Sequence, residues 1–474
     1  MPEVAPEPRS PEAVLVEESK AARAALDYAG ARAKAAEAVA LLLARPEAEQ
    51  DDAWLQCLSD AGVAAYAAQD PRTANVALER AHAIRSSRLL DDDPELQKLR
   101  SAYALSLKAL GDVAGARALQ EQVLAVRIAS LPDDHPDLQK ARQNLASTLK
   151  TQGEIVRARA LEERVLAVRE ASLPADHPDL QAIRTNLANT IKTLGDLSAA
   201  RALEEQVVTA YEATLPDDHP MLQQARGNLG VTLLALRDEE GARALHEKVL
   251  EVFARTMPDD HPSLQWARLN LAAAVRQLGE FEAARELEEH VLEVRLRTLP
   301  EDHVDVQRAR WNLALTLKEQ GELGRARELE EQALAVFEAS FPADHPELQG
   351  ARGNLADTLR RSGDVAGAIA LEEQVLASLE RTLDDDHPYL RVARLNLSAT
   401  LSMAAATGTG EARAQADRSA ELVGSVSREL VREARAAILL GSSREAEERC
   451  AVMRQELDVA LSHALGLGAL EPRP

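Results

Sequence analysis

Histidine, asparagine and lysine recur at intervals of 42 residues along this chain of 474 residues. Their side chains can bind a metal ion, pair with peptide groups or attract an anion. Seven histidines share one register, whereas the two cysteines, Cys57 and Cys450, stand outside it. The seven are His135, His177, His219, His261, His303, His345 and His387.

A zinc site would need at least two of these imidazoles around one ion, each about 2 Å from it. Equivalent atoms of packed helices lie about 8–10 Å apart, which is too far for two such ligands. The chain also lacks a glycine-rich phosphate loop, a nucleophile elbow and an HExxH segment. We therefore expect no metal site, no cofactor and no enzymatic activity, and we assign the histidines to a turn.

An asparagine stands nine residues after each of these histidines. Because an amide offers donors and an acceptor, a row of them could pair with the main chain of an extended peptide. Alternatively, each amide bonds to the neighbouring helix and only fixes the stacking of repeats. The column comprises Asn144, Asn186, Asn228, Asn270, Asn312, Asn354 and Asn396.

A basic residue stands six positions after this register in most copies, with Leu234 and Ser402 as the exceptions. In a chain of net charge −23, such a stripe along a binding groove indicates an acidic ligand segment. Alternatively, these residues are solvated and favour the dipole at helix C-termini. The column comprises Lys108, Lys150, Lys192, Arg276, Lys318 and Arg360.

Two tryptophans, Trp266 and Trp311, lie four residues and one residue before the asparagine register. Exposed tryptophan is a frequent binding hot spot, so both are candidate partner-binding residues. Alternatively, either ring covers a gap between repeats.

An arginine two residues before the asparagine points about 160° away from it around a helix. It therefore points away from the binding groove that the asparagines would line. A partly buried guanidinium needs a carboxylate partner, and we predict a ladder with a glutamate column that would pair Arg226 with Glu247. The arginines are Arg100, Arg142, Arg184, Arg226, Arg268, Arg310, Arg352 and Arg394. The glutamates are Glu121, Glu163, Glu205, Glu247, Glu289, Glu331 and Glu373.

All of these columns belong to one repeated unit, which from Leu131 reads LPDDHPDLQKARQNLASTLKTQGEIVRARALEERVLAVREAS. Apolar residues such as Leu138, Leu145 and Leu149 mark one side of a first helix, and a second set marks another. Between them, Gly153 and its equivalents can end the first helix in a left-handed conformation; Arg237 replaces the glycine once. Asp134 is the expected N-cap, with the proline two residues later in the first turn.

A period of this length is typical of a solenoid, whose repeats bury their apolar faces on one another and leave a long binding surface. The run DHPxLQxARxNLAxTL and the glycine after it resemble the 42-residue tetratricopeptide repeats of kinesin light chain, which also occur widely in bacterial proteins. The resemblance implies an all-α, right-handed superhelical α-solenoid with helical caps. It also implies that the asparagines line a peptide groove, as their counterparts in kinesin light chains do.

The repeats set the expected domain organisation. Trp54, Asp70, Ala74 and Arg85 match repeat positions and indicate one degenerate copy before the regular ones. Terminal units need an outer face that water tolerates, so both ends are expected to be caps. The expected segments are a flexible tail at 1–11, a helical cap at 12–46, a degenerate repeat at 47–88, the repeat array at 89–403, a loop at 404–411, and a helical cap with a tail at 412–474.

Composition bounds the function. The acidic balance disfavours nucleic acid, because phosphate binding draws on basic surface. Without an apolar run of 18 residues or a signal peptide, we expect a cytoplasmic, bacterial protein that does not enter membranes. We predict a non-enzymatic scaffold or adaptor that binds an extended, acidic peptide segment of a partner protein. The alternative is a dedicated regulator or inhibitor of one effector enzyme, such as a protease or nuclease encoded nearby.

Overall fold

The computed structural model describes residues 10–46, 50–383, 385, 387–406 and 412–440. These residues form 20 helices and no strand, which confirms the all-α solenoid of helix-turn-helix repeats. The helices fall into two compact units, residues 1–236 and 237–474, and each unit is described by itself.

The first unit contains eleven helices among the described residues. They are α1 Pro11–Ala24, α2 Tyr28–Ala44, α3 Asp52–Ala67, α4 Pro71–Arg88, α5 Pro94–Ala109, α6 Val113–Ser130, α7 Pro136–Thr151, α8 Ile155–Ser172, α9 Pro178–Thr193, α10 Leu197–Thr214 and α11 Pro220–Ala235.

The described part of the second unit contains nine helices. They are α12 Glu239–Thr256, α13 Pro262–Gln277, α14 Phe281–Thr298, α15 Val304–Glu319, α16 Leu323–Ser340, α17 Pro346–Arg361, α18 Val365–Thr382, α19 Pro388–Ala406 and α20 Ala412–Leu440. Residues 407–411 and the region after 440, where further helices of the C-terminal cap are expected, lie outside the described residues.

Alternating 16-residue and 18-residue helices follow from the repeat. Ala, Leu, Glu and Arg, which dominate both helices, favour helical backbone. The apolar positions expected on the first helix are buried: Leu138, Leu145 and Leu149 are each at most 3% exposed. They join Val123 of α6 and Ala158 of α8 in one cluster, so each first helix packs between two second helices.

The turn before each first helix differs from the prediction in one respect. The N-cap is His135 rather than Asp134: its Nδ1 accepts a hydrogen bond from the main-chain N–H of Asp137 at 3.1 Å. The same bond recurs at the other six histidines of the column. The imidazole must therefore carry its proton on Nε2 to accept at Nδ1. Placing the histidines in a turn was correct, and the choice of capping residue was wrong by one position.

The ends of the first helices confirm the expected left-handed residue. Gly153 adopts φ +79°, and Arg237 adopts the same kind of conformation at φ +63°. Within the described residues, no helix is both long and apolar enough to cross a membrane. Nor do the described side chains include a group of three or more His, Cys, Asp or Glu residues arranged to hold a metal ion.

Candidate functional site

The first helices present one polar, accessible face, which we call the first-helix face. It comprises the asparagine column together with the positions four residues before and three residues after each asparagine. Asn186 and Asn396 are exposed, and the other five asparagines are partly exposed. In the first unit the flanking positions are exposed as well, for example Lys140, Ala182 and Ser147.

The asparagine amides are free within the described part of the chain: none of the seven side chains forms a hydrogen bond to it. Nδ2 of Asn270 is even shielded from solvent without a partner. The polar link at this position uses the main chain instead, because the Thr148 hydroxyl donates to the carbonyl of Asn144 at 3.2 Å. Asn186, Asn228, Asn354 and Asn396 accept the same bond through their carbonyls. The alternative in which the amides bond to neighbouring helices is therefore wrong.

The basic column is paired with acids inside the protein. Lys150 Nζ lies 2.8 Å from Glu162 Oε1, and the same contact joins Lys192 to Glu204 at 2.7 Å. In the second unit Arg276 pairs with a buried glutamate of α14 at 3.0 Å. The partners form a buried column that the sequence analysis missed. The signal was present, because a glutamate stands twelve residues after five of the six basic residues.

The other three basic residues differ in accessibility. Lys318 is 5% exposed and lies 3.2 Å from Asp357 and 3.7 Å from Glu330. Arg360 also contacts Asp357, at 2.5 Å. Lys108 donates instead to the Ser147 hydroxyl at 2.7 Å and has no acidic partner among the described residues. The solvated-face alternative is therefore wrong for Lys318, and most of the column is neutralised from within.

Burial alters the protonation of this column. It raises the pKa of Glu288 to about 7, although Thr316 and Arg276 act in the opposite direction. It also raises the pKa values of Glu330 and Glu372. Burial lowers the pKa of the Lys108 ammonium, and the nearby Lys150 charge lowers it further.

One position of the column carries a histidine. His246 stands twelve residues after the exceptional Leu234, is 1% exposed, and has both ring nitrogens shielded without a hydrogen bond. Burial lowers its pKa to about 4, so the neutral ring behaves here as an apolar side chain.

The arginine column is buried or partly buried, as expected, but takes different partners. Arg142 lies 2.5 Å from Asp133, and Arg226 lies 2.6 Å from Asp217 and 2.9 Å from Glu212. All of these acids precede the arginine in the chain, in the turn or at the end of the preceding second helix. The predicted ladder is therefore wrong, including its pairing of Arg226 with Glu247.

The glutamates of the predicted ladder lie on the outer side of the second helices. Glu247 accepts from Arg243, four residues earlier in α12, at 2.8 Å. Glu163 and Glu331 do the same with Arg159 and Arg327, each at 2.7 Å. These pairs lie between two partly exposed side chains, so each contributes little stability.

The tryptophans pack between repeats. Trp266 lies against a core cluster that includes Phe253 and Leu264. The Trp311 ring lies over Gly350 of the next first helix, where a Cβ atom would come within 2.8 Å of Cη2. Both residues remain partly exposed. The gap-covering alternative therefore accounts for Trp311.

A cavity of about 270 Å³ opens on the first-helix face of the first unit. It forms where the asparagine register holds Ala102, whose small side chain leaves room beside Asn144. The lining combines apolar groups with basic residues at positions four before the register, and it also includes Arg127 and Asp137. The lining residues include Val63, Tyr66, Lys98, Ala102, Leu105, Lys140 and Asn144.

Two family models, both described as tetratricopeptide repeat, match the chain. One matches residues 95–171, 221–297 and 267–339, and the other matches 180–220 and 349–389. Together these matches cover more than half of the 474 residues. A comparison with curated proteins gives no match.

Solved structures show a similar architecture. A putative kinesin light chain from Podosopora anserina, with nearly identical TPR-like repeats, is 29% identical with a TM-score of 0.41 and covers 44% of this chain and 98% of its own. BtubC (BKLC) from P. vanneervenii is 19% identical, with a TM-score of 0.40 and coverages of 48% and 91%. The apo form of the quorum sensor NprR from B. thuringiensis is 11% identical, with a TM-score of 0.53 and coverages of 78% and 98%. With its 42-residue units matched by these family models, the chain is a tetratricopeptide-repeat protein.

Proposed function

We propose that this protein is a non-enzymatic scaffold or adaptor that binds extended segments of partner proteins on its first-helix face. The observation that carries the proposal is the row of exposed or partly exposed asparagines whose side chains have no partner within the described residues. Each unit has its own row, with three asparagines in the first and four in the second. An amide can accept from a peptide N–H and donate to a peptide C=O, which suits an extended main chain of any sequence.

In the first unit the proposed ligand also places an apolar side chain in the 270 Å³ cavity. Lys140 is exposed and forms no ion pair with a described residue, and Lys108 has only the Ser147 hydroxyl. These two lysines can attract a carboxylate, whereas Lys150 and Lys192 are already matched by glutamates. We therefore propose the acidic preference for this unit alone. Two cysteines in the whole chain, with Cys57 free, favour a cytoplasmic location.

Peptides selected from a random twelve-residue library on the intact protein test the main proposal. In the second unit, changing Asn270, Asn312 and Asn354 to Ala should weaken a selected peptide at least tenfold while the unfolding midpoint in urea stays nearly unchanged. The matched control changes Glu286, Glu293 and Glu328 to Ala, which are exposed residues of second helices in the same unit. Equal affinities of both variants would contradict the proposal.

The acidic preference has its own test. Lys108→Met with Lys140→Met should weaken peptides selected on the first unit, and added salt should weaken the unmodified complex because exposed charges are screened within about 8–10 Å. Lys248→Met, an exposed lysine on a second helix, is the control. Selected peptides without acidic residues, or affinity that ignores both changes, would contradict this part.

A further inference from the structure

Three side chains recur together at five of the contacts between successive repeats, and we call each set a junction triad. The glutamate and the threonine are buried in every set, and the cation is buried only at Lys318. A triad consists of a Lys or Arg on the first helix, a Glu twelve residues later on the second helix, and a Thr twenty-eight residues after that on the next first helix. The sets are Lys150/Glu162/Thr190, Lys192/Glu204/Thr232, Arg276/Glu288/Thr316, Lys318/Glu330/Thr358 and Arg360/Glu372/Thr400.

The triads cross the contact between repeats. The five glutamates are at most 7% exposed and the five threonines at most 1%. The Thr400 hydroxyl donates to Glu372 Oε1 at 3.0 Å, and Arg276 Nη1 lies 3.3 Å from Thr316 Oγ1 and 3.0 Å from Glu288. At Arg276/Glu288/Thr316, charge and hydrogen bonding thus join a first helix, a second helix and the following first helix. At Lys150/Glu162 and Lys192/Glu204 the ion pair joins the two helices of one repeat.

Each triad also reaches the main chain of an asparagine on the first-helix face. Thr190 donates to the carbonyl of Asn186 at 3.0 Å, and Thr358 to that of Asn354 at 3.2 Å. Arg276 adds a bond to the carbonyl of Asn312 at 3.4 Å. The triads therefore lie directly behind the amides that the proposed peptide would contact.

At one junction all three positions change together. At the one regular junction where the cation position holds Leu234, the glutamate position holds His246 and the threonine position holds Ala274. In the degenerate copy the glutamate position holds Leu78, which is fully buried. The fold therefore tolerates uncharged residues at these positions. In the first regular copy Lys108 and Thr148 are present, but the glutamate position holds Gln120.

Stability alone does not account for the triads. Buried ion pairs are costly to desolvate, and apolar replacements of similar volume are often neutral or stabilising. One carboxylate oxygen of Glu162, Glu204 and Glu288 is in addition shielded without a hydrogen bond, which adds to the cost. A directional polar contact fixes the register between the helices that it joins, whereas an apolar contact does not.

We propose that the junction triads are positioning residues for peptide binding, fixing the spacing of successive asparagine amides to match the repeat of an extended main chain. The inference rests on the proposed function. It predicts that removing a triad changes the distance between successive asparagines and the affinity for the peptide more than it changes the free energy of unfolding.

The spacing can be measured without a ligand. With Cys57 and Cys450 changed to Ser, spin labels at Lys140→Cys on α7 and Gln224→Cys on α11 report one distance across two junctions of the first unit; both sites are exposed. We expect one narrow distance distribution for this protein and for Lys150→Arg, since Arg occupies that position elsewhere. In Lys150→Leu with Glu162→Leu and Thr190→Ala, the distribution should broaden or shift, with an unchanged or higher urea midpoint.

Should the triple variant fail to fold, Glu162→Gln carries the same test, because it keeps the shape and removes the charge that pairs with Lys150. Peptides selected on the first unit should lose at least fivefold in affinity for whichever variant folds. An unchanged distance distribution together with unchanged affinity would overturn the inference. If no peptide binds even the unmodified protein, the proposed function fails, and the spin-label distances alone decide whether the triads fix the spacing.

Discussion

The buried arginines of the arginine column pair with carboxylates that precede them in the chain, and Arg394 also contacts Glu429, which follows it. Arg142 and Arg226 contact the aspartate nine residues earlier. Where that position holds Ala175 or Ala343, the arginine contacts a glutamate fourteen residues earlier, at the end of the preceding second helix. The helical angle between the arginine and the asparagine correctly predicted that the arginine side chain is buried. It did not predict which neighbouring carboxylate this long side chain contacts.

This pairing predicts a specific energetic coupling. Arg226→Ala should lower the free energy of unfolding by about 2 kcal/mol, because it removes a buried guanidinium together with its hydrogen bonds to Asp217 and Glu212. The double variant with Asp217→Ala should lose less than the sum of the single losses, as measured by urea denaturation.

Glu247→Ala is the control, since that glutamate pairs with Arg243 and its loss should add to that of Arg226→Ala. A second comparison uses Glu170, the only acidic partner of Arg184 seen among the described residues. Glu170→Ala should therefore cost more than Glu212→Ala, because Arg226 retains Asp217. Coupling of Arg226 to Glu247 but not to Asp217 would contradict the structure.

The buried His246 predicts that the free energy of unfolding falls in acid. Its folded pKa, about 4, lies below the usual 6.5, so its contribution is present above pH 6.5 and is lost as the pH falls toward 4. That shift corresponds to about 3 kcal/mol. His246→Leu should therefore reduce the loss of stability between pH 7 and pH 4, with little change at pH 7, where the buried ring is neutral.

Urea midpoints measured across this pH range check the effect. His290→Gln, at a partly exposed histidine on α14, is the control and should leave the loss near pH 4 largely intact. If the two variants behave alike in acid, the buried environment assigned to His246 is incorrect.

At the scale of the helices, the left-handed residue after each first helix sets how the chain turns into the second. Arg237 adopts φ +63°, where a side chain is strained and glycine is not. Arg237→Gly should raise the free energy of unfolding by about 0.5 kcal/mol, because relief of that strain exceeds the extra entropy of the unfolded chain.

Replacing a glycine at the equivalent position by alanine measures the cost of the left-handed backbone conformation by itself. A Cβ atom on Gly153 would meet nothing within 4 Å, so Gly153→Ala should cost about 1 kcal/mol from φ alone. Thermal unfolding of both variants measures the pair of effects. A destabilising Arg237→Gly would show that the arginine side chain contributes contacts that exceed its strain.

The capping histidines show what local sequence rules can and cannot decide. The rules placed a helix start at Asp-His-Pro and preferred aspartate as the cap. In the structure Pro136 occupies the first helical position, and the cap is therefore the residue directly before it, His135. The glycine position, by contrast, followed from the only residue type that adopts positive φ without strain.

Across the whole molecule, the 42-residue period sufficed to predict the fold, because every repeat presents the same two apolar stripes. The asparagines were correctly placed on an accessible face by their angle to Leu138 and Leu145. The basic column was harder, since Lys150 and Lys192 lie at the edge of that face and their flexible side chains reach inward to glutamates. Pairing between columns depends on contacts between helices, which a helical wheel for one helix does not contain.

The central claim is that asparagine amides hold the main chain of a peptide. It is tested most directly by replacing single amides of a selected peptide with esters, which removes one N–H at a time, and measuring affinity for the unmodified protein and for Asn312→Ala. At the peptide position facing Asn312, the ester should weaken binding about tenfold to the unmodified protein, consistent with loss of about one hydrogen bond. The same ester should change binding to Asn312→Ala very little. Equal losses for both proteins at every ester position would contradict the account.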